Sequence, residues 1–191
     1  IIKLFRYDFS DNKKLEQVRD LFVFGCFVGL RFSDYSDIKP ENIVKDENDY
    51  FIKVRTKKTR EEAIIPCNPI VLEIFKKYDS MPNKLPKTIS NQKFNDYIKV
   101  ALKEAQFIEL GRLPMTPELP LFACVSSHTC RRSFATNYYL QGVKPIDLMK
   151  ITTHKTEKAF LKYIRVTKLQ TAKILGDHIK KNWAEKMLRV A

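Results

Sequence analysis

The chain lacks several patterns that would assign it to a particular chemistry. Its four cysteines form no Cys-x-x-Cys pair and match no zinc-site spacing, so neither a zinc module nor a disulfide scaffold is indicated. No carboxylates cluster at metal-ligand spacing. A chain of 191 residues needs no disulfide to stabilise it, which predicts reduced thiols and a cytoplasmic location.

Targeting and linker segments are also missing. No apolar stretch reaches the length of a membrane span and no signal peptide is visible, so we expect no membrane partner. Without repeats, low-complexity tracts or a domain-sized linker, residues 1–191 are predicted to form one domain. The chain begins with Ile1 rather than Met, and we expect it to be part of a longer protein.

Acidic residues are outnumbered by basic ones, 22 Asp and Glu against 35 Lys and Arg, which gives a net charge of +13. Such a surplus suits a polyanion, and the phosphate backbone of nucleic acid is the commonest one. Composition alone leaves a second interpretation equally open, in which the lysines only solvate the surface. Apolar residues make up 44% of the chain, enough for a packed core.

Hydrophobic periodicity predicts a mostly α protein with one small antiparallel β-sheet, an α+β class. Strands are predicted over 50–54 and 62–65, joined by a hairpin at 55–61. Asp11 is expected to cap the first long helix, Ser33 or Asp34 a short second one, and Ser127 a later one. The helices are predicted over 12–30, from 33 or 34 to before 40, and over 68–78, 91–106, 127–141, 145–151, 156–167 and 168–190. The segments 79–90 and 111–121, which contain prolines, are expected to be irregular.

His128 and Arg131 stand three residues apart, so a helix would place them on one face. Arginine offers a planar fork that pairs with two phosphate oxygens, and histidine exchanges a proton near neutral pH. The ordinary alternative is a surface histidine beside an arginine in a simple ion pair.

His154 lies at a predicted helix junction, and Tyr163 follows it nine residues later. A junction histidine can donate an N–H to an oxyanion, and a tyrosine surrounded by cations can act as a nucleophile. A capping histidine and a tyrosine that only packs are the ordinary alternatives.

Arg31 follows an apolar helix, where a guanidinium needs an anionic partner. Asp34, three residues on, is expected to hold that guanidinium, either to orient it or as its only partner. Lys58 lies at the predicted hairpin tip, from which an ammonium can reach a leaving oxygen; a solvated basic turn is the alternative.

Together these residues resemble the catalytic domain of the tyrosine recombinase (phage integrase) family, over about residues 15 to 166. The order matches: Gly-Leu-Arg-x-Ser-Asp at 29–34, a hairpin lysine before Ile-Pro, His-x-x-Arg followed by Phe-Ala-Thr at 128–136, then a histidine and a tyrosine. The run 21–34 is similar to integrases of conjugative transposons and related mobile elements.

The resemblance implies a tyrosine recombinase catalytic-domain fold and a site-specific enzyme that breaks and rejoins DNA strands. Tyr163 would attack a phosphodiester, form a 3′-phosphotyrosyl link and release a 5′-hydroxyl. Arg31, Arg131 and His154 would bind the non-bridging oxygens. Lys58 would protonate the leaving oxygen, and His128 would accept the tyrosine proton.

The same resemblance implies no metal or nucleotide cofactor, and double-stranded DNA as the partner. It also implies a homotetramer on two duplexes, a further DNA-binding domain upstream, and a tail helix over 168–191 that docks on a neighbouring protomer or packs on its own domain. A type IB topoisomerase and a non-catalytic DNA-binding module are the alternative functions. The chain departs from the family pattern at Thr153, where the family usually has Gly, and Lys57 is an alternative to Lys58.

Overall fold

A computed structural model describes residues 1–111 and 119–187 of the chain. Residues 112–118, within the segment predicted to be irregular, and 188–190, the end of the predicted tail helix, lie outside the described residues, as does 191. The described part is mostly helical and has one three-stranded antiparallel sheet. This confirms the predicted α+β class. Within the described ranges no helix is both long and apolar enough to cross a membrane.

The helices of the described residues mostly match the predicted segments. The helices over 69–77, 91–104 and 127–140 each bury an apolar face, which is why periodicity finds them. The helices are α1 (Ile2–Phe5), α2 (Lys13–Val28), α3 (Phe32–Tyr35), α4 (Pro69–Lys77), α5 (Asn91–Glu104), α6 (Ser127–Leu140), α7 (Pro145–Thr152), α8 (Glu157–Leu161) and α9 (Lys168–Met187).

Three predicted helix caps are wrong. Asn12, not Asp11, caps α2, because its side chain accepts the Leu15 N–H at 3.2 Å. Ser126, not Ser127, caps α6, in a reciprocal capping box with Thr129. Ser33 and Asp34 lie inside α3, whose cap residue Arg31 makes no side-chain capping bond. Each difference is one to three residues, and none moves a helix to another part of the fold.

The segment around Tyr163 also differs from the prediction of one helix over 156–167. Helix α8 ends at Leu161, so Tyr163 lies in the turn beyond it. Thr167 and Gln170 cap the next helix: the Thr167 N–H donates to the Gln170 side chain at 2.8 Å, and the Gln170 N–H to the Thr167 hydroxyl at 3.2 Å. A residue that caps one helix cannot continue the preceding one.

The sheet has the order β1-β2-β3, with β1 (Ile43–Asp46) beside β2 (Asp49–Arg55) and β2 beside β3 (Glu62–Pro66), all antiparallel. The two predicted strands are confirmed, and the edge strand β1 was not predicted. Val54 pairs with Ala63 just before the hairpin turn. The sheet packs one face on the core, where Ile52 and Ile65 are buried.

Helix α2 is the centre of the molecule and contacts α4, α5 and α6. A second, smaller apolar cluster lies under the carboxyl-terminal part of α6, formed by Phe134, Ala135, Leu148 and Phe160. Tyr163 packs against this cluster. Burying one such phenylalanine contributes about 1.5–3 kcal/mol, so the cluster fixes the turn after α8 without a regular element.

Candidate active site

Arg131 lies in the centre of the candidate site and is 2% exposed. Helix α6 carries it inward, where its Nη1 donates to the Gly29 carbonyl at 3.1 Å and its Nη2 to the Thr152 carbonyl. Its Nε is buried without a hydrogen-bond partner. Burial and the nearby Arg31 lower the pKa of Arg131 to about 10, so the group stays charged at neutral pH. A buried cation with an unused N–H is suited to bind an anion.

Arg31 supplies a second guanidinium to the same cleft. The cleft has a volume of about 220 Å³, and its lining includes Arg31, Arg131 and His128. The Nη1 atom of Arg31 is also buried without a hydrogen-bond partner, and His128 is exposed at the cleft wall. Two arginines from segments about a hundred residues apart in sequence therefore line one small cleft, and each has a buried guanidinium nitrogen without a hydrogen-bond partner.

Asp34 does not hold Arg31, contrary to the sequence-based expectation. Its Oδ1 accepts the main-chain N–H of Lys57 at 2.9 Å, while its Oδ2 is buried without a partner. Within the described ranges no ion pair of Arg31 occurs. The carboxylate instead ties the start of the β2-β3 turn to helix α3, which brings the hairpin lysines toward the arginine segment.

Lys57 and Lys58 differ in their surroundings. The Lys57 ammonium forms an ion pair with Asp37 at 2.9 Å. Lys58 is exposed at the turn, and no hydrogen bond or ion pair of its ammonium occurs in the described part of the chain. Lys57 would have to break its ion pair with Asp37 to contact a ligand with its ammonium, and Lys58 would not.

His154 and Tyr163 come together beside Arg131. The two ring centroids are 4.8 Å apart, and the Arg131 guanidinium carbon lies 5.7 Å from the Tyr163 ring. Burial, Arg131 and Arg31 lower the pKa of His154 to about 4, which leaves it neutral at pH 7. The Tyr163 main-chain carbonyl accepts a hydrogen bond from the Thr136 hydroxyl at 3.0 Å. This bond holds the turn independently of the Tyr163 side chain.

Thr152 joins these groups, and sequence reasoning missed it. Its carbonyl accepts Arg131, and its hydroxyl lies 2.8 Å from His154 Nδ1 and 2.6 Å from the Leu148 carbonyl oxygen. Nothing in the sequence separates it from the adjacent Thr153, because both are threonines at the end of a helix.

At Gly29 the segment that leads to Arg31 packs closely against α6, the helix that carries Arg131. Gly29 ends α2 in the left-handed region, with φ +69°. A Cβ atom there would lie 2.5 Å from the Phe134 ring of α6. Only glycine allows both the backbone conformation and this approach.

Thr153 occupies a backbone conformation that favours glycine, with φ +52° and ψ +44°. It ends α7, and its buried hydroxyl has no hydrogen-bond partner. The departure from the family pattern noted above therefore carries strain.

We expect Thr153→Gly to raise the free energy of unfolding by about 1 kcal/mol, because it relieves a left-handed β-branched residue and removes an unsatisfied hydroxyl. Urea unfolding measures the change. Thr156→Gly is the matched control, since Thr156 has φ −134° and caps α8, and it should lower stability. Equal losses of stability in the two variants would contradict the inference that Thr153 is strained.

Of the six predicted site residues, the structure brings Arg131, His154 and Tyr163 into one group and places Arg31, His128 and Arg131 around one cleft. Lys58 lies at the hairpin tip, whose first residues are anchored beside Arg31 through Asp34. The roles of these side chains remain predictions.

Comparison with known proteins identifies the fold. No family model matches the chain, and no curated protein matches it. Solved structures do. XerH site-specific recombinase bound to its difH substrate is 15% identical with a TM-score of 0.63, over 90% of this chain and 49% of that one. XerA recombinase is 14% identical with a TM-score of 0.66, over 93% and 62%.

The Tn1549 transposon integrase, in complex with transposon right end DNA, is 16% identical with a TM-score of 0.63. That match covers 94% of this chain and 63% of the integrase chain. The chain therefore spans between 49% and 63% of the length of these three proteins. The described architecture, with its small antiparallel sheet beside the helices, is the fold of the tyrosine recombinase catalytic domain.

Proposed function

We propose that the protein is a site-specific recombinase that cuts and rejoins double-stranded DNA through a covalent link to Tyr163. The observation that carries this proposal is that Arg31 and Arg131 line one cleft and that each has a buried guanidinium nitrogen without a hydrogen-bond partner. A phosphodiester offers the two non-bridging oxygens that such a pair would bind. The fold shared with XerH and the Tn1549 integrase supports the same activity.

In the proposed reaction the Tyr163 hydroxyl oxygen attacks the phosphorus while the bond from phosphorus to the 5′-oxygen breaks. The tyrosine proton passes to His128, and the leaving oxygen receives a proton from Lys58. Arg31, Arg131 and His154 stabilise the charge that develops on the non-bridging oxygens. A 5′-hydroxyl from a second duplex then reverses the step, which rejoins the strands without an external energy source.

The proposed assembly is a homotetramer on two duplexes, with a further DNA-binding domain upstream in the whole protein. The tail helix α9 supports such an assembly, because Leu175, Ile179 and Trp183 recur every four residues and are all more than half exposed. A stripe of this kind on one helix face is suited to pack on another copy rather than on its own domain.

A nicked suicide substrate tests the proposal, because the short 5′ fragment diffuses away after cleavage and traps the intermediate. We expect a covalent protein–DNA adduct on a denaturing gel, with the modified peptide containing Tyr163. Plasmid relaxation measured beside recombination between two sites distinguishes a recombinase from a topoisomerase. A wild-type protein that binds its site but forms no adduct would contradict the proposal.

We expect Lys58→Ala to slow strand cleavage about 100-fold, because the leaving 5′-oxygen loses its proton donor. Lys57→Ala is the matched control and should have a small effect, since its ammonium is already paired with Asp37. Single-turnover cleavage assays measure both rates.

A substrate with sulfur in place of the bridging 5′-oxygen sharpens this test, because a thiolate leaves without protonation. It should restore the rate of Lys58→Ala. If it restores Lys57→Ala instead, the two lysines have been assigned the wrong way round.

A further inference from the structure

The position of the Thr152 hydroxyl determines where His154 carries its proton. A threonine hydroxyl has one hydrogen to donate. The Leu148 carbonyl, 2.6 Å away, can only accept, so the hydrogen of Thr152 must lie on that contact. The 2.8 Å contact with His154 Nδ1 is then an N–H donated by the histidine to Thr152. In the neutral ring Nε2 therefore has a lone pair and no hydrogen.

The contact of His154 with Arg131 does not change this assignment. Arg131 Nη2 lies 3.3 Å from both ring nitrogens, so it does not single out one lone pair. That nitrogen already donates to the Thr152 carbonyl. Thr152 thus contacts both functional side chains, Arg131 through its carbonyl and His154 through its hydroxyl, and it is fully buried.

A neutral His154 held in this way presents a lone pair, which repels an anionic oxygen. We propose that Thr152 is a positioning residue that holds His154 in its Nδ1–H form, so that the ring binds a phosphate only after Nε2 takes up a proton. This inference rests on the proposed function, in which His154 contacts the phosphate. Its consequence is that DNA binding at this site takes up a proton from solvent.

The charges around His154 set the direction of the pH dependence. The charged or titratable groups that face the ring are Arg131 from α6, Arg31 before α3 and Tyr163 after α8, and the two arginines oppose protonation in the free protein. A bound phosphate adds negative charge and raises the affinity of Nε2 for a proton. Above about pH 4 the free ring is neutral, so binding that takes up a proton strengthens as pH falls and levels off only near pH 4, where the free ring is protonated as well.

The first test needs no DNA and no variant of Thr152. The protein has three histidines, and His154→Gln identifies the signals of His154 in ¹⁵N-histidine-labelled protein. At pH 7 we expect a hydrogen on Nδ1 and a lone pair on Nε2, the reverse of the form that free imidazole side chains favour in water. A hydrogen on Nε2 in the wild type would overturn the proposal.

The second test measures proton uptake on binding, by calorimetry in buffers of different ionisation enthalpy. The duplex carries the proposed target site and every protein carries Tyr163→Phe, so that no strand is cut. Proton uptake by His154→Gln is subtracted from that of each protein that keeps His154. The difference gives the contribution of His154 without that of His128, which lines the cleft. With the native Thr152 we expect about one proton taken up per site and a tenfold change in affinity per pH unit.

Thr152→Val keeps the volume but removes the partner of Nδ1–H, so the ring can turn its hydrogen to Nε2 and bind a phosphate while neutral. We expect proton uptake at His154 to disappear in Thr152→Val and to persist in Thr152→Ser. His178→Gln, on the exposed part of α9, is a control that should keep it. Equal uptake in Thr152→Val and Thr152→Ser would overturn the role of Thr152.

The two tests separate this inference from the proposed function. If the native protein binds no DNA, the proposed function fails, and the ¹⁵N measurement on the free protein still decides whether Thr152 holds the Nδ1–H form. If DNA is bound and cut while Nε2 carries the hydrogen, the proposed function stands and the positioning role is wrong.

Discussion

Tyr163→Phe is expected to abolish the covalent protein–DNA adduct completely while leaving DNA affinity unchanged. The substitution removes only the hydroxyl. The packing of the ring against His154 and Arg131 is available to phenylalanine, and the bond from Thr136 goes to the main-chain carbonyl. The fold of the turn should therefore survive. Suicide-substrate trapping measures the adduct, and a gel shift on the same duplex measures affinity.

Tyr138→Phe is the matched control, because Tyr138 packs on Phe134 with ring centroids 4.7 Å apart and loses the same atom. Its adduct should form at the wild-type rate. An adduct that persists in Tyr163→Phe would place the nucleophile on another side chain and would remove the basis for the proposed reaction.

Arg131→Lys is expected to slow strand cleavage about 1,000-fold, since one donor aimed at developing charge supplies about 2.7–4 kcal/mol. The reason lies in the number of bonds. The guanidinium holds the Gly29 and Thr152 carbonyls and still has an unused Nε–H, whereas an ammonium on a flexible stem cannot keep both carbonyls and present a fork to a phosphate.

The neighbouring Arg132→Lys is the control for this prediction, because its one side-chain hydrogen bond in the described residues goes to the Thr129 hydroxyl at 3.1 Å. Thermal unfolding sets a temperature at which both variants are folded, and single-turnover cleavage is compared there. A loss below tenfold in Arg131→Lys, or equal losses in both, would show that charge alone suffices at this position.

Sequence periodicity was sufficient for most of the fold. The apolar faces of α4 and α5 and the two longer strands are confirmed within a few residues. The edge strand β1 was missed because its four residues are mostly exposed and carry no alternating pattern. The end of α8 was missed because the turn after Leu161 contains no Gly or Pro and is fixed by long-range packing, such as that of Tyr163 on the cluster under α6.

The candidate site was harder to predict where partners are far apart in sequence. Arg31 and Asp34 look like an ion pair because they are three residues apart, but Asp34 instead binds the Lys57 main chain, which no local pattern reveals. Thr152 could not be found for a similar reason. Its contacts depend on how α6 and α7 meet, and that geometry follows from packing rather than spacing.

The close packing of Gly29 on α6 affects the spacing of the segments that carry Arg31 and Arg131. The Gly29 carbonyl accepts a hydrogen bond from Arg131, and a Cβ atom added to Gly29 would overlap the Phe134 ring, one turn further along the same helix. The helix that carries Arg131 thus contacts the main chain two residues before Arg31. The spacing of the two segments that carry these arginines is therefore set by main-chain and ring contacts in the core.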